Sequence, residues 1–278
     1  MPEPHPSRRC MPELTEGEHW TRDELAALLA DRFSPAAVGR FVWRSSVRSA
    51  RIRRERPELA RRAWGWAAAG GLAWVAGALA GAGPFRRRLR SGLAWWAACA
   101  VMLDWHLGMV QTPDGRPRQL GAADALTLLR AWLVPVALDS PTPLVCALGA
   151  GTDVLDGRLA RAGEPTRIGR DLEGLVDACF AAACLRGAVR RGWLGAPAGA
   201  AELTRLGAGF GFALLVYFGR AHPPDPLLLR SARVTTTARV GALLLAGTGR
   251  RRAADALLLS ASAASAGLIA RALARPRR

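Results

Sequence analysis

Apolar runs long enough to cross a membrane recur along the chain and predict an all-α protein. Residues 63–83 carry no charge, and about 20 apolar residues at 1.5 Å each span the hydrocarbon core of a bilayer. A second candidate span covers residues 91–110. Six more apolar segments follow, near residues 124–139, 141–161, 169–188, 194–219, 234–249 and 253–272. Lipid offers no hydrogen-bond partners to backbone groups, so we expect all of these segments to be helices.

Polar stretches divide this pattern into three regions. Residues 1–62 form a predicted cytoplasmic, Arg-rich helical arm, in which Thr21–Glu24 matches a capping box and Ser34-Pro35 matches a second helix start. Residues 63–123 hold one or two extra membrane spans and a polar linker that begins near residue 111. Residues 124–278 form a six-helix membrane domain. The predicted fold class is therefore all-α, a polytopic membrane helical bundle.

The charge of the chain suits a membrane surface better than nucleic acid. The formal net charge is +17, and all 39 basic residues are arginine. The arginines flank the apolar runs, which is typical of contact with anionic lipid head groups. For the arm, the pattern favours a solvated juxtamembrane helix over an anionic-lipid clamp or a regulatory element. The five cysteines form no C-x-x-C pair, so no zinc site or disulfide framework is expected.

Four acids between residues 153 and 177 are the candidate chemistry. Asp153 and Asp156 lie three residues apart, and Glu173 and Asp177 lie four apart, so each pair occupies one face of a helix. Acids gathered at a membrane span need cations to offset their repulsion and desolvation. Mg²⁺ or Mn²⁺, in two ions per site, would meet that need and would suit a diphosphate substrate. The alternative is that the acids pair with neighbouring arginines on a cytoplasmic loop.

The spacing of these acids resembles a known family. The pattern D-x-x-D-G-x-x-A-R-x₇-G-x₃-E-x₃-D is similar to the signature of the CDP-alcohol phosphatidyltransferases, which has Asp where this chain has Glu173. The matching positions are Asp153, Asp156, Gly157, Ala160, Arg161, Gly169 and Asp177. Two weaker matches lie outside the motif. Residues 124–135, with Arg130, are similar to the start of the family's first span, and Arg233-x-x-Thr236-x-x-Arg239 resembles the start of its fifth.

The resemblance implies a role for each matched residue. Asp153, Asp156, Glu173 and Asp177 would hold two divalent metal ions, and Asp177 would also act as the base. Gly157, Ala160, Arg161 and Gly169 would border the CDP moiety. For the weaker matches, Arg130, Arg233 and Arg239, binding of the acceptor and simple snorkelling to the membrane interface both stay open. The resemblance also implies a homodimer with its active site facing the cytoplasm.

The expected function is transfer of a phosphatidyl or other phosphoalcohol group in the inner or plasma membrane. The donor would be a CDP-alcohol lipid, with CDP-diacylglycerol favoured, and the acceptor a small polyol or polyol phosphate. Nucleic acid is not an expected partner. Two alternatives stay open: a catalytically weakened scaffold or regulator that binds CDP-lipid, and a transporter that uses the acids for ions.

Overall fold

Helices account for nearly all of the chain that is described. The computed structural model describes residues 15–112, 114–162, 166–218 and 226–274. These residues form eleven α-helices, one 3-10 helix at Leu107–Met109 and no β-strand, which confirms the all-α prediction. The α-helices are α1 (Glu16–Ala30), α2 (Pro35–Glu55), α3 (Pro57–Leu79), α4 (Gly83–Arg87), α5 (Leu89–Trp105), α6 (Ala122–Asp139), α7 (Pro143–Ala162), α8 (Arg167–Arg190), α9 (Ala196–Tyr217), α10 (Pro226–Gly247) and α11 (Arg251–Leu273).

The two predicted helix starts in the arm have different outcomes. Ser34 precedes α2 and its Oγ accepts a hydrogen bond from the Ala37 amide at 3.3 Å, as the Ser-Pro pattern indicates. The start at Thr21 is wrong. Helix α1 begins at Glu16, where the Thr15 amide donates to the Glu18 carboxylate at 2.9 Å. The same spacing of Thr and Glu occurs in both places, and Thr21 lies inside the helix.

The six predicted segments of the C-terminal region correspond to α6–α11. The largest deviation is at α10, which begins at Pro226 rather than near residue 234. By length and hydropathy, two described helices could cross a membrane: Ala196–Tyr217, with mean hydropathy 1.2, and Arg251–Arg271, with mean hydropathy 1.5. Neither lies in residues 63–110, so the extra spans predicted there stay a prediction, as does the multi-pass arrangement.

The arm is tied to the segment that follows it. Helix α3 is continuous from Pro57 to Leu79, so the boundary predicted at residue 62 falls inside one helix. Asp104 of α5 is buried, and its carboxylate accepts hydrogen bonds from Ser49 and Arg53 of α2. Its other oxygen accepts from Trp64 Nε1 of α3 at 3.1 Å. One buried carboxylate thus holds three helices together.

Helix α6 continues through a proline because a tryptophan replaces the missing hydrogen bond. Pro135 has no amide hydrogen, so the carbonyl of Ala131, four residues earlier, loses its partner within the helix. The indole Nε1 of Trp95 in α5 donates to that carbonyl at 2.7 Å. Both Pro135 and Ala131 are buried, where an unpaired carbonyl would be costly.

A glycine in α7 makes room for a side chain of α8, and a glycine in α8 allows close approach to the backbone of α6. A Cβ added at Gly149 of α7 would lie 2.1 Å from Phe180 Cε1 of α8, and one at Gly187 of α8 would lie 2.6 Å from the Ala137 carbonyl oxygen of α6. Neither distance is possible for a real side chain, so these positions require glycine. The main core of buried residues joins α6, α7, α8, α10 and α11 around Cys184 and Leu258.

The pairing of Pro135 with Trp95 predicts a specific double-mutant result. Trp95→Phe keeps most of the ring but removes the donor, so it should lower the free energy of unfolding by about 1–3 kcal/mol. In a Pro135→Ala background the helix supplies its own amide, and Trp95→Phe should cost much less. Thermal unfolding of the four proteins in one detergent gives the comparison. An equal loss in both backgrounds would contradict this account of the Ala131 carbonyl.

Candidate functional site

Three of the four predicted metal ligands converge in the structure. Asp153 and Asp156 lie on one face of α7, and Glu173 lies near the start of α8. One carboxylate oxygen from each of these three residues lies within 4.8 Å of the other two. The i, i+3 spacing places both aspartates on one face of α7, and the Glu173 side chain reaches them from α8. The predicted grouping of these acids from two helices is therefore present.

A buried arginine lies among these acids. The Arg130 guanidinium of α6 is ion-paired with Asp156 and Asp177, and its Nη1 lies 3.8 Å from an Asp153 oxygen. Its Nε donates to Thr152 Oγ1 of α7 at 3.3 Å. Only 2% of the side chain is exposed, so Arg130 does not extend to a membrane interface. It bridges α7 and α8 from the side of α6, and it links Asp177 to Asp153 and Asp156.

Charge and hydrogen bonding around Asp156 fit a cation better than arginine alone. The four carboxylates and one guanidinium sum to a formal charge of −4 + 1 = −3 when all are ionised. Asp156 Oδ2 is paired with Arg130 and accepts a long 3.5 Å bond from Thr127 Oγ1. Its other oxygen, Oδ1, is buried and has no hydrogen-bond partner among the described residues. A buried carboxylate oxygen without a partner is costly, and it suits a metal ion that prefers hard oxygen ligands.

The acids differ in their access to solvent. Asp156 has 4% of its side chain exposed, against 42% for Asp153 and 36% for Asp177. A cavity of about 100 Å³ beside them is lined by Arg130, Asp153, Asp177 and, from α10, Arg239. Asp156 is thus the inner acid, whereas Asp153 and Asp177 face a space that a ligand can reach.

Arg239 is held in this cavity by a network that sequence reasoning missed. Glu202 of α9 is buried and accepts from Arg239 Nε at 2.7 Å, from Arg205 Nε at 2.7 Å and from Ser262 Oγ of α11 at 2.7 Å. Within the described residues, the terminal amino groups of Arg239 make no hydrogen bond. They remain available to an anion in the cavity.

A signal for Glu202 was present in the sequence. It is the one acid in the predicted 194–219 segment, and an ionisable residue in an apolar helix usually marks a functional or buried polar site. Its partners could not be read from spacing, apart from Arg205 at i+3, because Arg239 and Ser262 come from other helices. The roles of Thr127 and Thr152 beside Asp156 and Arg130 were missed for the same reason.

Asp124, in the first turn of α6, connects the starts of two helices of the site. One oxygen of its carboxylate accepts from the Gly121 amide and the other from Thr166 Oγ1, both at 2.8 Å. Thr166 directly precedes α8, which carries Glu173 and Asp177. The start of α6 is thereby tied to the start of α8, and this fixes the separation of the two helices.

The remaining predicted residues are placed as follows. Gly157 lies in α7 directly after Asp156. Ala160 and Arg161 lie in the last turn of α7 and Gly169 in the first turn of α8, but their side chains fall outside the described part of the chain. Arg233 is exposed on α10 and does not line the cavity that contains Arg239. The proposed nucleotide contacts therefore stay a prediction.

Comparison of the chain with protein-family models, with curated proteins and with solved structures finds no match. The acidic site and the helices that carry it are therefore the features that indicate the class of protein.

The acidic site predicts a divalent-ion binding difference that needs no activity. Mn²⁺ should bind the purified protein, and Asp156→Asn should weaken that binding by at least about tenfold, because even outer partners of metal ligands contribute about 10–100-fold. The signal of free Mn²⁺ in electron paramagnetic resonance measures the affinity. Asp31→Asn is the matched control, since Asp31 is exposed and pairs only with Arg40. Equal affinity in the two variants would argue against a metal site at Asp156.

Proposed function

We propose that this chain is a membrane phosphotransferase that moves a phosphatidyl or related phosphoalcohol group from a CDP-alcohol to a hydroxyl and releases CMP. The observation that carries the proposal is the convergence of Asp153, Asp156 and Glu173, with a partnerless buried oxygen, beside a cavity that also contains Asp177 and Arg239. These groups are of the kind that in-line displacement at phosphorus needs: hard oxygen ligands, a base and a cation.

The side chains divide the work between them. Asp153, Asp156 and Glu173 would hold divalent ions, with Asp177 as a further ligand, and such ions neutralise a pyrophosphate and stabilise the leaving nucleotide. Asp177 would accept the proton of the acceptor hydroxyl. The acceptor oxygen then bonds to the β-phosphorus of the donor, and the bond from that phosphorus to the bridging oxygen breaks to release CMP. No covalent bond between enzyme and substrate forms.

The two arginines would act at different ends of the site. Arg130 is committed to Asp156 and Asp177, so we assign it to holding the acids in place rather than to the acceptor. Arg239 lines the cavity, and its terminal amino groups have no hydrogen bond among the described residues, so a phosphate on the acceptor would take them. This favours a polyol phosphate over an uncharged polyol as the acceptor.

Several features support a location in a membrane. Helices α9 and α11 meet the length and hydropathy of a span. On other helices, large apolar side chains point outward: Leu72, Leu79, Leu144 and Val234 are each 68–84% exposed. Contact with lipid would remove these apolar side chains from water. Helices α6, α7, α8 and α10 carry the charged residues Arg130, Asp153, Asp156, Glu173, Asp177 and Arg239, which lowers their hydropathy. We propose a multi-pass homodimer with the site facing the cytoplasm.

The scaffold alternative is motivated by Glu173, which stands where the resembled family has Asp. Its carboxylate nevertheless reaches within 4.8 Å of Asp153 and Asp156. Glutamate at this position therefore still groups with the other acids, and this favours the enzyme.

The experiment is CMP release from CDP-diacylglycerol by the purified chain in detergent, with Mg²⁺ and either glycerol 3-phosphate or inositol phosphate. Asp177→Asn should lower the rate by at least about 10²–10⁴-fold, the usual contribution of a general base. Excess EDTA should abolish turnover, and Asp31→Asn should leave it unchanged. Metal-dependent binding of the donor without CMP release would favour the scaffold, and full turnover in EDTA would contradict the metal-based proposal.

A further inference from the structure

A groove in the arm lies apart from the acidic site and carries a different chemistry. It encloses about 560 Å³ between α1, α2 and the linker after the 3-10 helix. Its lining includes Trp20, Trp43, Arg44, Arg48, Arg51 and Gln111. The lining also contains Arg56, Glu16 and Glu55, so four guanidiniums face two carboxylates and the formal charge is +4 − 2 = +2.

Arg48 is the groove arginine that stacks on an aromatic ring. Its guanidinium carbon lies 4.6 Å from the centre of the Trp20 ring. Its Nη2 is so close to two glycines that an added Cβ would lie 3.3 Å away at Gly17 and 3.5 Å away at Gly108. The side chain is half-buried, yet among the described residues it has neither a hydrogen bond nor an ion pair. A partly desolvated guanidinium with free donors is stabilised by an anion.

The neighbouring arginines differ in their availability. Arg44 pairs with Glu24 and Arg51 with Glu55, each at 2.9 Å, but both arginines are more than half exposed. The Arg51–Glu55 pair is exposed on both sides and contributes little, so Arg51 can turn to a ligand. Arg44 stays with Glu24, because that carboxylate is buried and would lose its cationic partner. Arg56 is committed, because its guanidinium donates to the backbone carbonyls of the 3-10 helix and linker.

One side of the groove is apolar and faces outward. Trp43 and Val47 lie one helical turn apart on α2, line the groove, and are 70% and 51% exposed. A soluble phosphate would leave these side chains in water. A phospholipid would cover them with its glycerol backbone and acyl chains. Basic helices with an apolar face bind membrane surfaces in this way, with the apolar face in contact with lipid.

We propose that this groove binds the head group of an anionic phospholipid, with the phosphate at Arg48 and the apolar part of the lipid against Trp43 and Val47. The site gives the arm a task that is independent of the proposed transferase chemistry. It anchors α1 and α2 to the membrane surface, and through Asp104 it reaches α3 and α5.

The test uses the full chain in non-ionic detergent and short-chain dihexanoyl lipids, with calorimetric titration. The phosphatidylglycerol lipid should bind at least about tenfold more tightly than phosphatidylcholine. Arg48→Gln should lower the affinity for the phosphatidylglycerol lipid about tenfold, the equivalent of one charge-assisted contact. Arg61→Gln is the matched control, because Arg61 is exposed on α3 and pairs with Glu58 outside the groove. Inorganic phosphate is titrated in parallel.

Trp43→Ala distinguishes binding of the lipid from binding of a soluble phosphate. Because Trp43 lies on the surface, this variant also provides a second test if Arg48→Gln does not fold. It should weaken phosphatidylglycerol binding and leave any phosphate binding unchanged. The proposal is overturned if Arg48→Gln and Arg61→Gln bind the lipid equally, if Trp43→Ala has no effect, or if inorganic phosphate binds as tightly as the lipid.

Discussion

The shared ion pairing of one buried arginine is the constraint on which the C-terminal half depends. Arg130 is almost fully enclosed and is paired with carboxylates from α7 and α8. A buried charge whose partner is removed typically costs about 3–5 kcal/mol. The chain can bury Arg130 only if α7 and α8 present acids to it at the same depth. The position of α6 between the two helices, the close approach of α8 to α6 at Gly187 and the link from Asp124 to Thr166 all support that arrangement.

The same constraint explains why the region is both ordered and charged. Arg130 offsets only part of the acidic charge, and the inner oxygen of Asp156 has no hydrogen-bond partner in the part of the chain that the structure describes. A site optimised for stability alone would have matched acids with bases. At the other side of the cavity, Glu202 accepts from the Nε of Arg239, and the terminal amino groups of Arg239 make no hydrogen bond among the described residues. An excess of negative charge beside a directed positive group is what binding of a cation together with a phosphate requires.

Local features of the sequence were sufficient for the helices and for the acids within each helix. Apolar runs located α6–α11, and spacing placed Asp153 with Asp156 on one face. Features that depend on other helices could not be obtained this way. Arg130 looked equally like an interfacial arginine, since its burial depends on acids 23–47 residues away, and Glu202 meets Arg239 and Ser262 only after three helices pack. At Thr15 and Thr21 two equivalent capping patterns competed, and only packing of α1 against the linker decides between them.

In the proposed site, Arg130 and a divalent ion together neutralise the four acids. One measurement tests this directly. The thermal unfolding midpoint of the parent and of Arg130→Gln is followed in detergent as Mg²⁺ is raised. Binding to the folded state alone raises stability with ligand concentration. The account predicts that Arg130→Gln unfolds at a lower temperature without Mg²⁺ and gains more from Mg²⁺ than the parent does. An Arg130→Gln variant that is as stable as the parent, or that responds no more to Mg²⁺, would contradict it.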